Sequence, residues 1–424
     1  PRGAAWWWWG SSAPVASPPE VVEEAPADDA AGEEGEDPAL PGKWRRARKR
    51  PDLTPEQEAE IARLEAIGYA DGTEAVGRHD TITVHDRTRA WEGLNLYNSG
   101  HASEAILTDM DGVVLHTWRA RWADVFPDQP VKPGAPGTNH WRRVKLLPDG
   151  SVLAIFEGRG MVRVDLDGRV LWSAANKAHH DLAIVGDRLL VLTREADLAP
   201  ALDPKRPILQ DFVETRSLDG ALVERFSLLD ALLASDHADL VRGKPHDGDL
   251  FHTNSIERLD GRYVKLDPAF REGNLLVSMR NLDAIGVVDP QARRFVWLLQ
   301  GGFRKQHDAN LTAQGVALFD NAGLGRWSRG LVVDPRTGEP VWSYAGSAQR
   351  PFRSATLGTI QVLPNRDVLL TESDGGRAIE VQPDGTIVWE MYNPHRAGHD
   401  GELIAALFEV VRLDPSEVAG WLKR

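Results

Sequence analysis

From about residue 91 to the C-terminus, apolar and polar positions alternate in short runs, and each run ends at a signal built on glycine, aspartate or proline. A period of two places successive side chains on opposite faces of a strand, whereas an amphipathic helix repeats at i, i+3 and i+4. One unit recurs. An alternating strand meets a glycine-containing turn, and the next strand carries tryptophan four residues after that glycine: Gly168 with Trp172, Gly338 with Trp342, Gly385 with Trp389. Looser copies end at Trp118 after Asp111-Gly112, at Phe226 after Asp219-Gly220 and at Trp297 after Asp289-Pro290. The aromatic ends are 45 to 71 residues apart, room for four strands and an occasional loop insertion. Sheets of this size repeated around an axis predict an all-β fold, a six-bladed β-propeller over 91–424, with the aromatics filling the space between blades. The earliest strands, near Leu94 to Trp118, lack an inner strand of their own, and the segment Glu402 to Leu413 is expected to supply it and close the ring.

Upstream the pattern differs. Residues 1–50 read as a disordered leader: Trp6 to Trp9 with a Pro, Ala and Ser stretch, then nine acids and no base from Glu20 to Asp37, then six bases and no acid from Lys43 to Arg50. Blocks of one sign repel internally and stay solvated. The tryptophans and the basic run offer contact with a membrane surface or a partner. Over 51–90, Thr54, Pro55 and Gln57 start a short helix that stops at Gly68, with Ile61, Leu64 and Ile67 as its apolar stripe, followed by a connecting segment.

Composition narrows the chemistry. A formal charge of -14 argues against nucleic acid as a partner, since phosphate binding needs a basic surface. With no cysteine there are no disulfides, thiolate metal sites or cysteine nucleophiles. No apolar run is long enough to span a bilayer as a helix, and no complete signal peptide is visible.

Four of the 13 histidines fall at one place in the repeat, just ahead of the first inter-strand turn of a unit: His140, His180, His252 and His307. Equivalent positions on successive blades converge on the propeller axis, so these imidazoles are expected to line one small polar cavity. The shared dipeptide in His180-Asp181 and His307-Asp308 selects His180 over His179 as the channel-facing ring. The two aspartates are then expected to face away and to hold backbone. Asn254 lies two residues after His252, and Arg280 ends the strand from Leu275. Arginine, imidazole and amide together are an anion-binding set. Three imidazoles also suit zinc or copper. An arginine in the site opposes a bound cation, and neither metal nor cofactor is expected.

At these residues the sequence resembles the bacterial arylsulfotransferase family, six-bladed propellers that move sulfate between phenols without a nucleotide donor. The resemblance spans about 91–413 and is carried by His179-His180-Asp181, Phe251-His252-Thr253-Asn254-Ser255, Ser278-Met279-Arg280, Gln306-His307-Asp308-Ala309, Leu318-Phe319-Asp320-Asn321 and the Gly385 to Trp389 turn. It implies an aryl sulfate donor, a phenolic acceptor and a periplasmic or extracellular location. It implies His307 as the transiently sulfated nucleophile, with His180, His252, Asn254 and Arg280 around the sulfate. Neutral imidazole is a competent nucleophile near pH 7. Arg280 and His252 suit charge stabilisation, and His180 suits proton transfer to the departing phenolate. Asn254, His140 and Thr356 are the substrate-binding candidates. The chain departs from better-known members in lacking an N-terminal β-sandwich and a disulfide near the site.

Two other readings stand beside this one. Val333-Asp334-Pro335-Arg336-Thr337-Gly338 followed by Trp342 is similar to repeats of quinone-cofactor propellers, although those usually have eight blades and often a vicinal cysteine pair. A non-catalytic propeller binding a sulfated or anionic ligand would use the same side chains.

Overall fold

The alternating runs form six antiparallel sheets around a central axis, a six-bladed β-propeller. The computed structural model describes residues 44–46, 81–131, 135–243, 248–398 and 401–422, with backbone alone at 44–46 and 203–207. The expected helix from Thr54 and the expected disorder of the leader fall outside the described residues, except that Trp44–Arg46 pair with Leu403–Ala405.

From the axis outward, blade two is Arg143–Leu146, Val152–Phe156, Gly160–Val164 and Val170–Ala174. Blade three is Ala178–Val185, Arg188–Ala199, Asp203–Ser217 and Leu222–Ser227. Blade four is Thr253–Arg258, Leu275–Met279, Ala284–Asp289 and Arg294–Gln300. Blade five is His307–Thr312, Gly315–Leu324, Trp327–Val333 and Pro340–Ala345. Blade six is Thr359–Val362, Val368–Glu372, Arg377–Val381 and Ile387–Tyr392, with Ile82–His85 added as a fifth, outermost strand. Blade one takes three strands from the start of the ring, Leu94–Ser99, Glu104–Thr108 and Val114–Arg119. Its innermost strand is Leu407–Leu413, which pairs with Leu94–Ser99. The chain end thus closes the ring, as the missing inner strand predicted.

The hydrophobic core is divided among the six gaps between blades. Leu192 and Val213 of blade three pack with Val277 and Val288 of blade four, and Leu107 of blade one with Val152 and Val162 of blade two. The repeated tryptophans sit in these gaps. Trp118, Trp172 and Trp389 lie on the fourth strands counted from the axis, and each donates its indole N–H at 2.9 Å to a carbonyl of the next blade's hairpin: Gly150, Leu218 and Met110. Gly220 shows why that turn is glycine. Its φ is +89°, and a Cβ there would lie 2.7 Å from the Trp172 ring.

The axis is closed by charge. Asp181 Oδ2, Ser255 Oγ and Asp308 Oδ2 on the inner strands of blades three, four and five accept the backbone N–H of Ile256, Ala309 and Ile360 on the next blade at 2.9–3.0 Å. These bonds fix one register around the ring, and blade two contributes Arg143 at that level. Its guanidinium, 1% exposed, reaches Asp181 at 3.2 Å, Asp308 at 3.1 Å and Glu409 of the closing strand. One arginine so tied to blades one, three and five plugs the channel. The aspartates hold backbone as expected, but they do not face away. His180 and Asp308 have φ of +54° and +55°, which breaks the strict alternation of a strand and lets neighbouring side chains reach the axis together. Beneath the plug is a cavity of 530 Å³ with Lys145, Leu182, Glu257 and Ile360 in its wall.

Candidate active site

One residue above the plug, the inner strands of blades two to five present Arg142, His180, Asn254 and His307. At the same level Arg194 and Asn321 project from within the second strands of blades three and five, and Glu157 and Arg280 follow directly on the ends of those of blades two and four. The sequence places these residues here because each inner strand enters the ring at this end, and bulges between Ala178 and Leu182, Thr253 and Ser255, and His307 and Asn310 reset its pairing.

His307 is 3% exposed. Its Nδ1 lies 2.8 Å from Asn321 Oδ1 and 3.1 Å from the Lys305 carbonyl. Asn321 donates both protons of its own amide, to the Ser354 and Leu357 carbonyls at 2.7 Å, so the face it turns to His307 is oxygen. His307 Nδ1 therefore carries the proton and Nε2 carries the lone pair. Burial, then the positive charges of Arg280 and Arg142, hold this imidazole well below its ordinary pKa, with the Asn321 bond acting the other way. The ring is neutral at pH 7.

The other two imidazoles are backed by carboxylates. His180 Nδ1 lies 3.2 Å from Glu157 Oε1, and His252 Nδ1 lies 2.5 Å from Asp249 Oδ2. The His180 and His252 rings touch edge to face, with centroids 4.7 Å apart. Burial lowers His180 well below its usual value against the pull of Glu157. Burial alone would raise the Glu157 carboxyl, but His180 and Arg194 outweigh it and keep it ionised. The His252 side chain is 23% exposed and is the more open of the two.

Asn254 donates to the Gln306 carbonyl at 2.8 Å, next to the nucleophile candidate, and its buried Oδ1 has no hydrogen-bond partner. Arg280 bonds Asn281 Oδ1 at 2.7 Å and lies near enough to His307 to oppose its protonation. His140 is buried and packs its ring on Phe408, centroids 4.9 Å apart. Thr356 is exposed, and its hydroxyl donates to Asp374 at 2.9 Å. His179 was expected on the opposite face, yet its Nδ1 is 3.0 Å from His180 Nδ1, because the left-handed φ of His180 turns the two rings toward each other. His179 Nε2 in turn lies 3.6 Å from Asp211, whose carboxyl burial pushes up to about 6.

Sequence reasoning did not single out Arg142, Glu157, Asp249 or the role of Asn321. Arg142 had a signal, since aligning the inner strands of blades two and five brings it level with His307. Glu157 and Asp249 had none, because they reach the site from a strand end and a loop.

Among the described residues, Glu157, His179 and His180 form one group with ligand atoms within 4.8 Å of one another, and His101, Glu104 and His395 form another. Arg194 lies 3.6 Å from Glu157, and Arg119 pairs with Glu104, so each group has a cation already in place.

A family model described as Arylsulfotransferase (ASST) matches residues 143–394, more than half of the chain. No curated protein matches it. Similar solved structures include a protein of unknown function from Bacteroides caccae, 10% identical with a TM-score of 0.45, covering 76% of this chain and 98% of that one. The Cps50 (Swd1) β-propeller domain of Myceliophteria thermophila is 13% identical with a TM-score of 0.42, covering 80% of this chain and 98% of that one. A catalytically inactive variant of virginiamycin B lyase from Staphylococcus aureus, with quinupristin, is 10% identical with a TM-score of 0.39, covering 73% of this chain and 87% of that one.

Proposed function

From the premise that this chain belongs to the arylsulfotransferase family, we propose that it moves a sulfuryl group from an aryl sulfate to a phenolic acceptor through a sulfated His307. The observation that carries this reading is the difference in what stands behind the three imidazoles. His307 is backed by an amide, which orients its lone pair without stabilising a proton on it. His180 and His252 are backed by carboxylates, which suit them to accept and return protons.

In the first half-reaction His307 Nε2 attacks sulfur and the bond from sulfur to the aryl oxygen breaks. The electron pair leaves with that oxygen, which takes a proton from His252, the imidazole nearer the mouth. The sulfated ring keeps its Nδ1 proton and donates it to Asn321. In the second half-reaction the acceptor phenol gives its proton to His252 while its oxygen attacks sulfur, and the bond to His307 breaks. Arg280 offsets the charge on the sulfuryl oxygens. Assigning the mobile proton to His252 rather than His180 rests on its exposure. A periplasmic or extracellular site of action, and small-molecule phenols as partners, belong to the same proposal.

Mixing the protein with 4-nitrophenyl sulfate in the absence of acceptor tests it. The expected result is a burst of nitrophenol with a gain of about 80 Da on His307, the mass of SO₃, and neither in His307→Asn. A His307→Asn protein that still transfers sulfuryl groups between phenols overturns the assignment. Wild-type protein that binds aryl sulfates yet transfers nothing favours the anion-binding reading.

A further inference from the structure

We propose that Arg142 is a second guanidinium of the anion site, donating to the sulfuryl oxygens from the blade opposite His307. The inference rests on the preceding reading that a sulfuryl group occupies the space between these side chains. Blades two and five face each other across a six-membered ring, and Arg142 and His307 occupy the same level on them. Arg142 is 3% exposed, and its Nη1 has no hydrogen-bond partner. Its nearest carboxylate contact, Glu157 Oε2, is 3.9 Å from Nε, beyond hydrogen-bond range, and the guanidinium lies 5.7 Å from the Phe408 ring centre.

Arg143, next in sequence, shows what an arginine held for structure looks like here, with three carboxylates around one buried guanidinium. Arg142 has the burial without the partners. A buried guanidinium with an unused donor is costly unless something anionic fills the gap. The Glu157 charge is met by other groups, since its Oε2 accepts the His180 backbone N–H at 3.1 Å and its Oε1 faces His180 Nδ1 at 3.2 Å and Arg194 at 3.6 Å. The charge of Arg142 also acts on the site, opposing protonation of both His180 and His307. A tetrahedral oxyanion set between Arg142 and Arg280 would meet forked donors from two sides, with Nε2 of His307 left to approach sulfur.

The test measures binding of inorganic sulfate to the whole protein by calorimetry, with turnover of 4-nitrophenyl sulfate scored separately. Arg142→Gln should bind sulfate about tenfold to a hundredfold more weakly, the loss expected for a buried charge-assisted bond. Its melting temperature without sulfate should not fall. The acid limb of its pH–rate profile should move to higher pH, because removing the charge lets His307 protonate more easily. Arg142→Lys keeps the charge and loses the fork, and should weaken sulfate binding by about tenfold; it decides the matter if Arg142→Gln does not fold. Unchanged sulfate affinity in a folded variant overturns the proposal even if transfer proceeds. Wild-type protein that transfers nothing, but loses sulfate affinity with Arg142, removes the transferase reading and leaves this one in place.

Discussion

At the scale of single residues, the site is set by which oxygen each imidazole leans on. Asn321 holds His307 Nδ1–H without attracting a second proton, so replacing it separates orientation from charge. Asn321→Leu should lower kcat by about tenfold to a hundredfold, the usual cost of losing a histidine's orienting partner, and leave sulfate affinity within about twofold. Asn321→Asp should move the acid limb of the pH–rate profile upward, since an adjacent carboxylate favours the imidazolium that cannot attack. For wild type the depressed pKa of His307 predicts that kcat/KM does not fall from pH 7.5 down through 6.5, where an ordinary histidine would be half protonated. A fall of half or more by pH 6.5 would contradict a buried, neutral His307 as the proposed nucleophile. His140 and His252, expected at the same position as His180 and His307, lie two residues ahead of it, and Arg142 and Asn254 hold that level on their blades. The shared register of His180 and His307 was legible because it follows from counting residues to each turn. The facing of His179, Asp181 and Asp308 was not, because it depends on left-handed backbone at His180 and Asp308 that no residue type announces.

At the scale of elements, the blades are joined by a few repeated devices, and the sequence announces them well. The spacing from turn glycine to tryptophan marked the fourth strands, and the missing inner strand of blade one pointed to the C-terminal segment. The addition of Ile82–His85 to blade six was hidden, since a four-residue strand far from its partner Ile387–Tyr392 carries no pattern of its own. Removing the chain from Leu407 onward should unfold the ring, because it strips Leu94–Ser99 of its inner partner and Arg143 of Glu409. A truncated protein with unchanged thermal unfolding would refute this. Trp389→Phe keeps the ring in the gap but loses the bond to Met110, and should cost about 1 kcal/mol in denaturant unfolding.

At the scale of the whole molecule, buried ionisable groups pull stability in opposite directions with pH. His179, His180 and His307 are all depressed by burial, so below about pH 6.5 the unfolded chain takes up protons that the native state refuses, and stability falls as pH falls. Burial pushes Glu257 and Glu372 up to about 7, so their contribution is full below the unfolded value and is lost as pH rises toward 7. These opposing slopes should flatten the stability profile between about pH 4.5 and 6.5. Glu257→Gln keeps an acceptor for the Leu311 N–H and removes the ionisation. Relative to wild type it should gain on the order of 2 kcal/mol between pH 5 and pH 8, measured by urea unfolding at each pH.

The Arg143 plug gives the molecule a consequence for its traffic. With the axis stoppered below the histidines, every reactant enters and every product leaves by a single doorway. In the proposed two-step transfer a spent phenol must back out before a fresh one can come in, and an acceptor that arrives early stands where the donor has to go. Crowding with acceptor should therefore slow the first half of the cycle while leaving the second untouched, and a bulky phenol should queue at the entrance rather than slip through.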